Sequence, residues 1–322
     1  MNQSTNMNIK TDIQEKLAYL PKNLQNLFNP NLAIFDTNVL QCKQQTDGFA
    51  FLPNSFVQTL LQQTGLNKTE LGLTLLPLAT SYAISPVSNF NVGAVVFDSK
   101  DNIYLGANFE FTDTHIGQTI HAEQSAIAHA WMRGATQLSL LVIKHPPCGH
   151  CRQFINEVRL TKNFKIVLSN SDTQVPKSLS YYLPNDFSGN NLGITQKILD
   201  DVYADYIYDN NKQIFNNDCK RMALNACKTS HAPYSDNKNG VALTFEDNSI
   251  ITGRYAENAA FNPSLPALQV ALNFRRMQGK NWQNIKKAIM VEKMAKLSQK
   301  DNTHQLLTSI NPQIDLEYIL IK

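Results

Sequence analysis

His121-Ala122-Glu123-Gln124-Ser125-Ala126-Ile127 and Pro147-Cys148-Gly149-His150-Cys151 flank one short apolar run, Leu138 to Ile143. Small and apolar side chains recur at Ala122, Ala126, Ile127, Ala130 and Trp131, which predicts a helix from His121 to Arg133 stopped by Gly134. Residues two apart on a regular helix diverge by about 200°. His121 and Glu123 therefore converge only at the open first turn. Pro146-Pro147 presets the first turn of a second helix, with Cys148 and Cys151 three apart on one face, and Leu138 to Ile143 reads as a buried strand between the two. Two helix N-termini then point at one place. Their partial positive charge favours thiolates at both cysteines, and Arg152 beside Cys151 does the same. One His and two Cys are three zinc ligands of the open type, whose fourth position is left for water or substrate.

A closed zinc knot needs a fourth protein ligand, and no comparable motif supplies one. A redox Cys-x-x-Cys leaves His-Ala-Glu unexplained. Together the two halves match the signature of hydrolytic zinc deaminases, in which the Glu is an acid and base rather than a ligand. Glu123 then takes a proton from water, delivers it to the ring nitrogen N3, and helps protonate the exocyclic amine so that ammonia leaves. His150 reads as a solvated or capping residue; His115, His129, His145, His231 and His304 read as structural or surface histidines.

Outward from this stretch, residues 1 to about 75 look mostly helical, broken at Pro21, Pro30 and Pro53, and carry no reactive constellation. A helical run from Leu71 to Ala83 ends before Pro86. Val92 to Phe97 and a second run ending near Leu105 read as a hairpin. Asn108 and Glu110 follow on alternate positions, so an extended backbone aims both the same way. Lys165 to Leu168 is a further strand, and the polar connection from Leu183 to Asn191 marks a boundary. Beyond it, Asn239 to Phe245 repeats the pattern of Asn91 to Phe97, and Gly253 to Glu257 falls opposite Gly106 to Glu110 after a one-residue shift. Where this copy should carry the metal motif it reads Leu265-Pro266-Ala267-Leu268-Gln269-Val270, and no Cys occurs after Cys227. The second copy has lost its chemistry.

The 322 residues suit two or three domains, and 43% hydrophobic content is ordinary for a globular chain. A net charge of +3 from 29 basic and 26 acidic residues is too slight for an electrostatic nucleic-acid binder. A small-molecule substrate fits better. The polar run Met1 to Asn8 and the lack of a long apolar stretch lead us to expect a cytoplasmic protein with no membrane partner. Of five Cys, Cys42, Cys219 and Cys227 lie outside the motif without metal-like spacing, which predicts reduced thiols.

The sequence resembles cytidine deaminases of the long-chain, homodimeric bacterial type with a degenerate second core. The resemblance is carried by Phe90-Asn91-Val92-Gly93-Ala94, Gly106-Ala107-Asn108-Phe109-Glu110-Phe111, His121 to Ile127, Pro147 to Phe154, and Tyr255 to Pro263. It implies zinc, one per chain, on His121, Cys148 and Cys151, with Glu123 catalytic. It also implies that Asn108 and Glu110 bind the ribose 3′-hydroxyl, that Phe90 packs on the pyrimidine, and that the Ala122 N–H donates to the base O2. Phe187 and Ala260 match positions that reach into the partner subunit's site. Pro146 stands where many relatives have Thr, at a carbonyl thought to receive the leaving ammonia; proline keeps that carbonyl.

The expected fold is an α/β/α sandwich with a mixed sheet and a duplicated core. It divides into a helical region 1–72, a catalytic domain 73–190 and a degenerate copy 191–322. The expected reaction converts cytidine or deoxycytidine and water to uridine or deoxyuridine and ammonia. Two alternatives are a deaminase of polymeric nucleic acid, disfavoured by the weak charge, and a non-catalytic zinc protein that binds nucleosides.

Overall fold

The computed structural model describes residues 15–28, 49–171, 173–200, 203–204 and 216–322. Cys42 and the start of the N-terminal helical region lie outside the described residues.

The first half begins with helix α1 (Lys22–Phe28), a two-residue strand β1 (Phe51–Leu52), and helices α2 (Asn54–Thr64) and α3 (Lys68–Thr80). The helical reading of this region missed β1. A pair of residues carries no periodicity; Pro53 does break the chain as expected, standing in extended conformation as the N-cap between β1 and α2. Helix α3 starts earlier than expected because Asn67 and Glu70 form a reciprocal capping box, and it ends at Thr80 with Pro77 inside its last turns.

Strands β2 (Gly93–Asp98) and β3 (Ile103–Ala107) form the expected hairpin, with Gly93 opposite Ala107. Helix α4 (Ala122–Met132), β4 (Leu138–Ile143), α5 (Gly149–Asn156), β5 (Leu160–Leu168) and the short α6 (Leu179–Tyr182) follow. Strand β5 begins earlier than its apolar end suggests, since Lys162 and Asn163 sit on an exposed edge. The sheet order is β1-β3-β2-β4-β5; only β4 and β5 run parallel, with α5 as their crossover.

The second half rebuilds this plan. Helix α7 (Asp218–Lys228), strands β6 (Asn239–Phe245) and β7 (Ile250–Arg254), helix α8 (Ala267–Met277), β8 (Ile285–Lys293), α9 (Lys300–Ile310) and β9 (Leu316–Ile321) give a sheet of order β7-β6-β8-β9. Its one parallel pair is again the last, β8 with β9.

Side-chain alternation assigns the layers. Val95 and Phe97 face α1 to α3, whereas Ala94 and Val96 face a central core that also takes Val241, Leu243 and Phe245 from β6. Ala242 points the other way, onto Cys219, Ala223 and Cys227 of α7. Each sheet thus has helices on both faces, and α4 and α8 pack together in the shared middle layer. The expected one-residue shift between the repeats disappears. The same spacing relates Gly93 to Gly240, Gly106 to Gly253 and Phe109 to Ala256, because the pairs Gly93–Ala107 and Gly240–Arg254 are equivalent. Matching Phe97 to Phe245 by residue type had slipped the register, and those two rings lie on opposite faces of their sheets.

Glycine sets how closely the helices approach. A Cβ on Gly106 would lie 2.1 Å from the Ala126 nitrogen of α4, and one on Gly253 would lie 2.0 Å from the Ala267 oxygen of α8. Both copies therefore seat a helix directly on a strand backbone. Among the described residues no helix is long and apolar enough to cross a membrane.

Candidate active site

His121 is the N-cap of α4 and Cys148 the N-cap of α5, so the loops before two helices deliver the first two donors. Pro147 consequently precedes the cap instead of occupying the first helical turn. The His121 N–H is held by the Gln124 Oε1 at 3.2 Å, and the Cys151 N–H donates to Cys148 Sγ at 3.5 Å. Cys151, one turn into α5, is fully buried, while Cys148 is exposed.

The donor atoms of His121, Cys148 and Cys151 all lie within 4.8 Å of one another, and Cys148 Sγ is 3.5 Å from His121 Nδ1. Tetrahedral zinc, with Zn–S near 2.3 Å and Zn–N near 2.0–2.1 Å, would set such an S···N separation at about 3.6 Å. The three donors fit that ion. Hydrogen bonds from the Cys151 thiol and His121 pull the Cys148 thiol down to about 3, and its bond to Cys148 together with burial pushes the Cys151 thiol up. The bond to Cys148 also raises His121. A divalent cation among the donors takes the place of the protons they share, since ligation needs neutral imidazole and thiolate sulfur. His150, read from sequence as a solvated or capping residue, is half-buried and stacks on His121 with ring centroids 5.0 Å apart, which helps fix that ring.

Glu123, in the first turn of α4, is buried beside this cluster and contacts the Cys151 thiol. Burial pushes its carboxyl above the usual range. A raised carboxyl suits a group that both accepts and returns a proton. Ala122 is the first helical residue, so its N–H has no intrahelical acceptor and is available to a ligand.

Asn108 and Glu110 leave the end of β3 side by side, as the alternation predicts, and both hold the loop that carries Phe90. Asn108 Oδ1 accepts from the Val92 N–H at 2.9 Å and its Nδ2 donates to the Phe90 carbonyl at 2.9 Å. Glu110 Oε2 accepts from the N–H groups of Val87 and Ser88, and Oε1 accepts from the Ser88 hydroxyl. Burial alone would raise the Glu110 carboxyl; the bonds from Ser88, Val87 and Asn108 outweigh it and hold the group below the usual range. Phe90 is 55% exposed, with its ring 5.7 Å from that of His145. His145, read from sequence as a background histidine, is thus a neighbour of the candidate base-stacking ring.

Phe187 and Ala260 are placed beside α5, the helix that carries Cys151. Both are exposed, and their backbones are tied to Gln153 of α5: Gln153 Nε2 donates to the Phe187 carbonyl at 2.7 Å, and the Ala260 N–H donates to Asn258 Oδ1, whose own Nδ2 reaches the Gln153 carbonyl. Sequence reasoning overlooked Gln124, which holds the His121 backbone and donates to the Pro263 carbonyl. A capping-box spacing from His121 was the available signal.

Residues 67–167 match a family model described as the cytidine and deoxycytidylate deaminase zinc-binding region, and residues 179–304 match a second model of the same description. The cytidine deaminase of Haemophilus influenzae strain PittEE is 43% identical over 268 residues, covering 83% of this chain and 89% of that protein. That of Vibrio vulnificus strain YJ016 is 38% identical over 312 residues, covering 97% and 99%. The chain belongs to the cytidine deaminase family. Its cofactor is zinc, in keeping with the family's zinc-binding region and the His/Cys/Cys group. Among solved structures, the cytidine deaminase of Burkholderia pseudomallei aligns with 38% of this chain and 100% of its own at 23% identity and a TM-score of 0.33.

Proposed function

We propose that this chain deaminates cytidine and deoxycytidine hydrolytically, consuming water and releasing uridine or deoxyuridine and ammonia, as in pyrimidine salvage. The observation that carries the reading is one His and two Cys converging at two helix N-termini with a buried, raised carboxyl, Glu123, beside them. His121, Cys148 and Cys151 hold the zinc, one per chain. When bound, zinc supplies the Lewis acidity that makes water nucleophilic at neutral pH.

The chain's own groups do the rest. The Ala122 N–H donates to the base O2 and Phe90 packs on the pyrimidine, so that C4 faces Glu123. Glu123 takes a proton from the attacking water, delivers it to N3, and then helps protonate the exocyclic nitrogen. The C4–N bond breaks as the C4 carbonyl forms, and the Pro146 carbonyl receives the ammonia. Asn108 and Glu110 bind the sugar 3′-hydroxyl, and the ionised Glu110 rejects a 3′-phosphate by charge.

Residues 73–190 form the catalytic domain, 191–322 its degenerate copy, and 1–72 a helical accessory region. The protein works in the cytoplasm as a homodimer in which Phe187 and Ala260 complete the partner's pocket. The outward-facing, exposed rings of Phe187 and Phe261 support this arrangement. Turnover assays with cytidine, deoxycytidine and single-stranded DNA test the proposal. Conversion of both nucleosides with the DNA untouched is expected; conversion of DNA alone, or of none, would overturn it.

A further inference from the structure

Helix α8 of the second half sends a charged side chain back into the first. The Arg276 guanidinium is buried: Nη1 donates to the carbonyls of Tyr82 at 2.6 Å and Asn108 at 3.0 Å, and Nη2 to that of Ala107 at 2.7 Å. Nη2 also reaches Asn273 Oδ1 at 3.0 Å and Ser125 Oγ at 3.3 Å, and the group lies over the Phe109 ring, 4.5 Å from its centroid. Ser125 in turn accepts from the Ala107 N–H at 3.1 Å and donates to Asn273 Oδ1 at 2.6 Å. Burying a guanidinium is costly unless its protons find acceptors. Here three of those acceptors are backbone carbonyls, two of them at the end of β3. Burial lowers the group to about 9, which leaves it charged at neutral pH.

We propose that Arg276 is a positioning residue for sugar recognition. The copy without a metal site supplies the cation that holds the Ala107 and Asn108 carbonyls of the copy with one, and so aims Asn108 and, two residues on, Glu110. The inference rests on the reading of Asn108 and Glu110 as the contacts to the 3′-hydroxyl. Lysine could not replace the planar fork that spans separate carbonyls.

Deoxycytidine and 2′,3′-dideoxycytidine differ only in that hydroxyl, so the ratio of their kcat/KM values isolates the contact. In Arg276→Met the ratio is expected to fall about tenfold or more, as for loss of a hydrogen bond to a charged group, chiefly through KM for deoxycytidine. Zinc content is expected to hold, and dideoxycytidine turnover to fall less than that of deoxycytidine, since Asn108 and Glu110 also hold the loop that carries Phe90. Arg276→Lys, which keeps the buried charge, should show a smaller fall and decides alone if the Met variant does not fold. A wild-type ratio in Arg276→Lys and in any folded Arg276→Met, or equal loss on both substrates, would overturn the proposal. Asn108→Ala separates the two readings. If it collapses the ratio while the Arg276 variants do not, the positioning role fails by itself; if it leaves the ratio unchanged, the sugar reading fails and takes the positioning role with it.

Discussion

Helices α4 and α8 begin alike: each follows a short bridge to a strand end, Phe109 with Ile120 in one half and Ala256 with Leu265 in the other, and each rests on a strand glycine. At the cap and second helical position one half has His121 and Glu123 and the other Pro266 and Leu268. The surroundings diverge in the same sense. Phe90 is 55% exposed at the edge of its site, whereas Asn237, its equivalent, is 0% exposed and bonded to Glu292 and to the Lys293 and Leu297 carbonyls. Yet Glu257 repeats the clamp of Glu110, accepting the N–H groups of Tyr234 and Ser235 as Glu110 accepts those of Val87 and Ser88. A carboxylate at this position thus has the same structural task in both halves, and the proposed function gives the one in the first half a second task.

The largest effect should come from the residue with no counterpart. Glu123→Gln keeps its zinc and loses about 10²- to 10⁴-fold in kcat, the usual worth of a positioned acid and base; metal analysis beside steady-state kinetics measures both. Comparable turnover in the variant would erase the distinction between the halves.

Gly106→Ala and Gly253→Ala put the same methyl against helix backbone. Each should cost about 1–3 kcal/mol in denaturant unfolding, as overpacking does. The Gly106 variant should also lose activity, because α4 carries His121 and Glu123, while Gly253→Ala should be affected mainly in stability. Equal loss of activity in both would mean that the halves transmit displacement without distinction.

Glu110→Gln and Glu257→Gln divide the two tasks of the clamp. Both should destabilise by about 0.5–1.5 kcal/mol through weakened bonds to part-buried N–H groups. Only Glu110→Gln should raise KM for deoxycytidine, and a matching rise in Glu257→Gln would contradict the assignment.

The smallest effect concerns Glu157, which closes α5 and is held by second-half groups: Tyr234 Oη at 2.6 Å, the Ala259 N–H at 3.0 Å and His231 Nε2 at 3.3 Å. Burial by itself would raise this carboxyl, but those bonds lower it. A lowered folded pKa contributes stability that is complete above the unfolded value, near 4.3, and is lost as pH falls through the folded one. Melting temperature measured from pH 6 to pH 3 should therefore drop less steeply in Glu157→Gln than in the natural chain. Parallel curves would show that Glu157 does not link the halves electrostatically.

Local patterns carried much of this comparison. The hairpin, the helix that opens on His121, the Cys-x-x-Cys turn and the retired motif at Pro266 are all contiguous runs with a period or a cap. What escaped were features without a local signature: the two-residue β1, the polar edge of β5, and the register of the repeat, where two phenylalanines of like sequence context face opposite layers. The Ser125–Asn273–Arg276 network escaped for a deeper reason. Its members meet only when α4 and α8 pack, so nothing in the neighbourhood of Arg276 distinguishes it from a surface arginine near the end of a helix.

Zinc content and ammonia release from cytidine, measured on one preparation of the natural chain, test most directly the claim that one half alone carries the chemistry. About one zinc per chain, as a single three-donor site predicts, with sustained ammonia release, is the expected result. A second zinc per chain, or one zinc with no ammonia from cytidine or deoxycytidine, would contradict it.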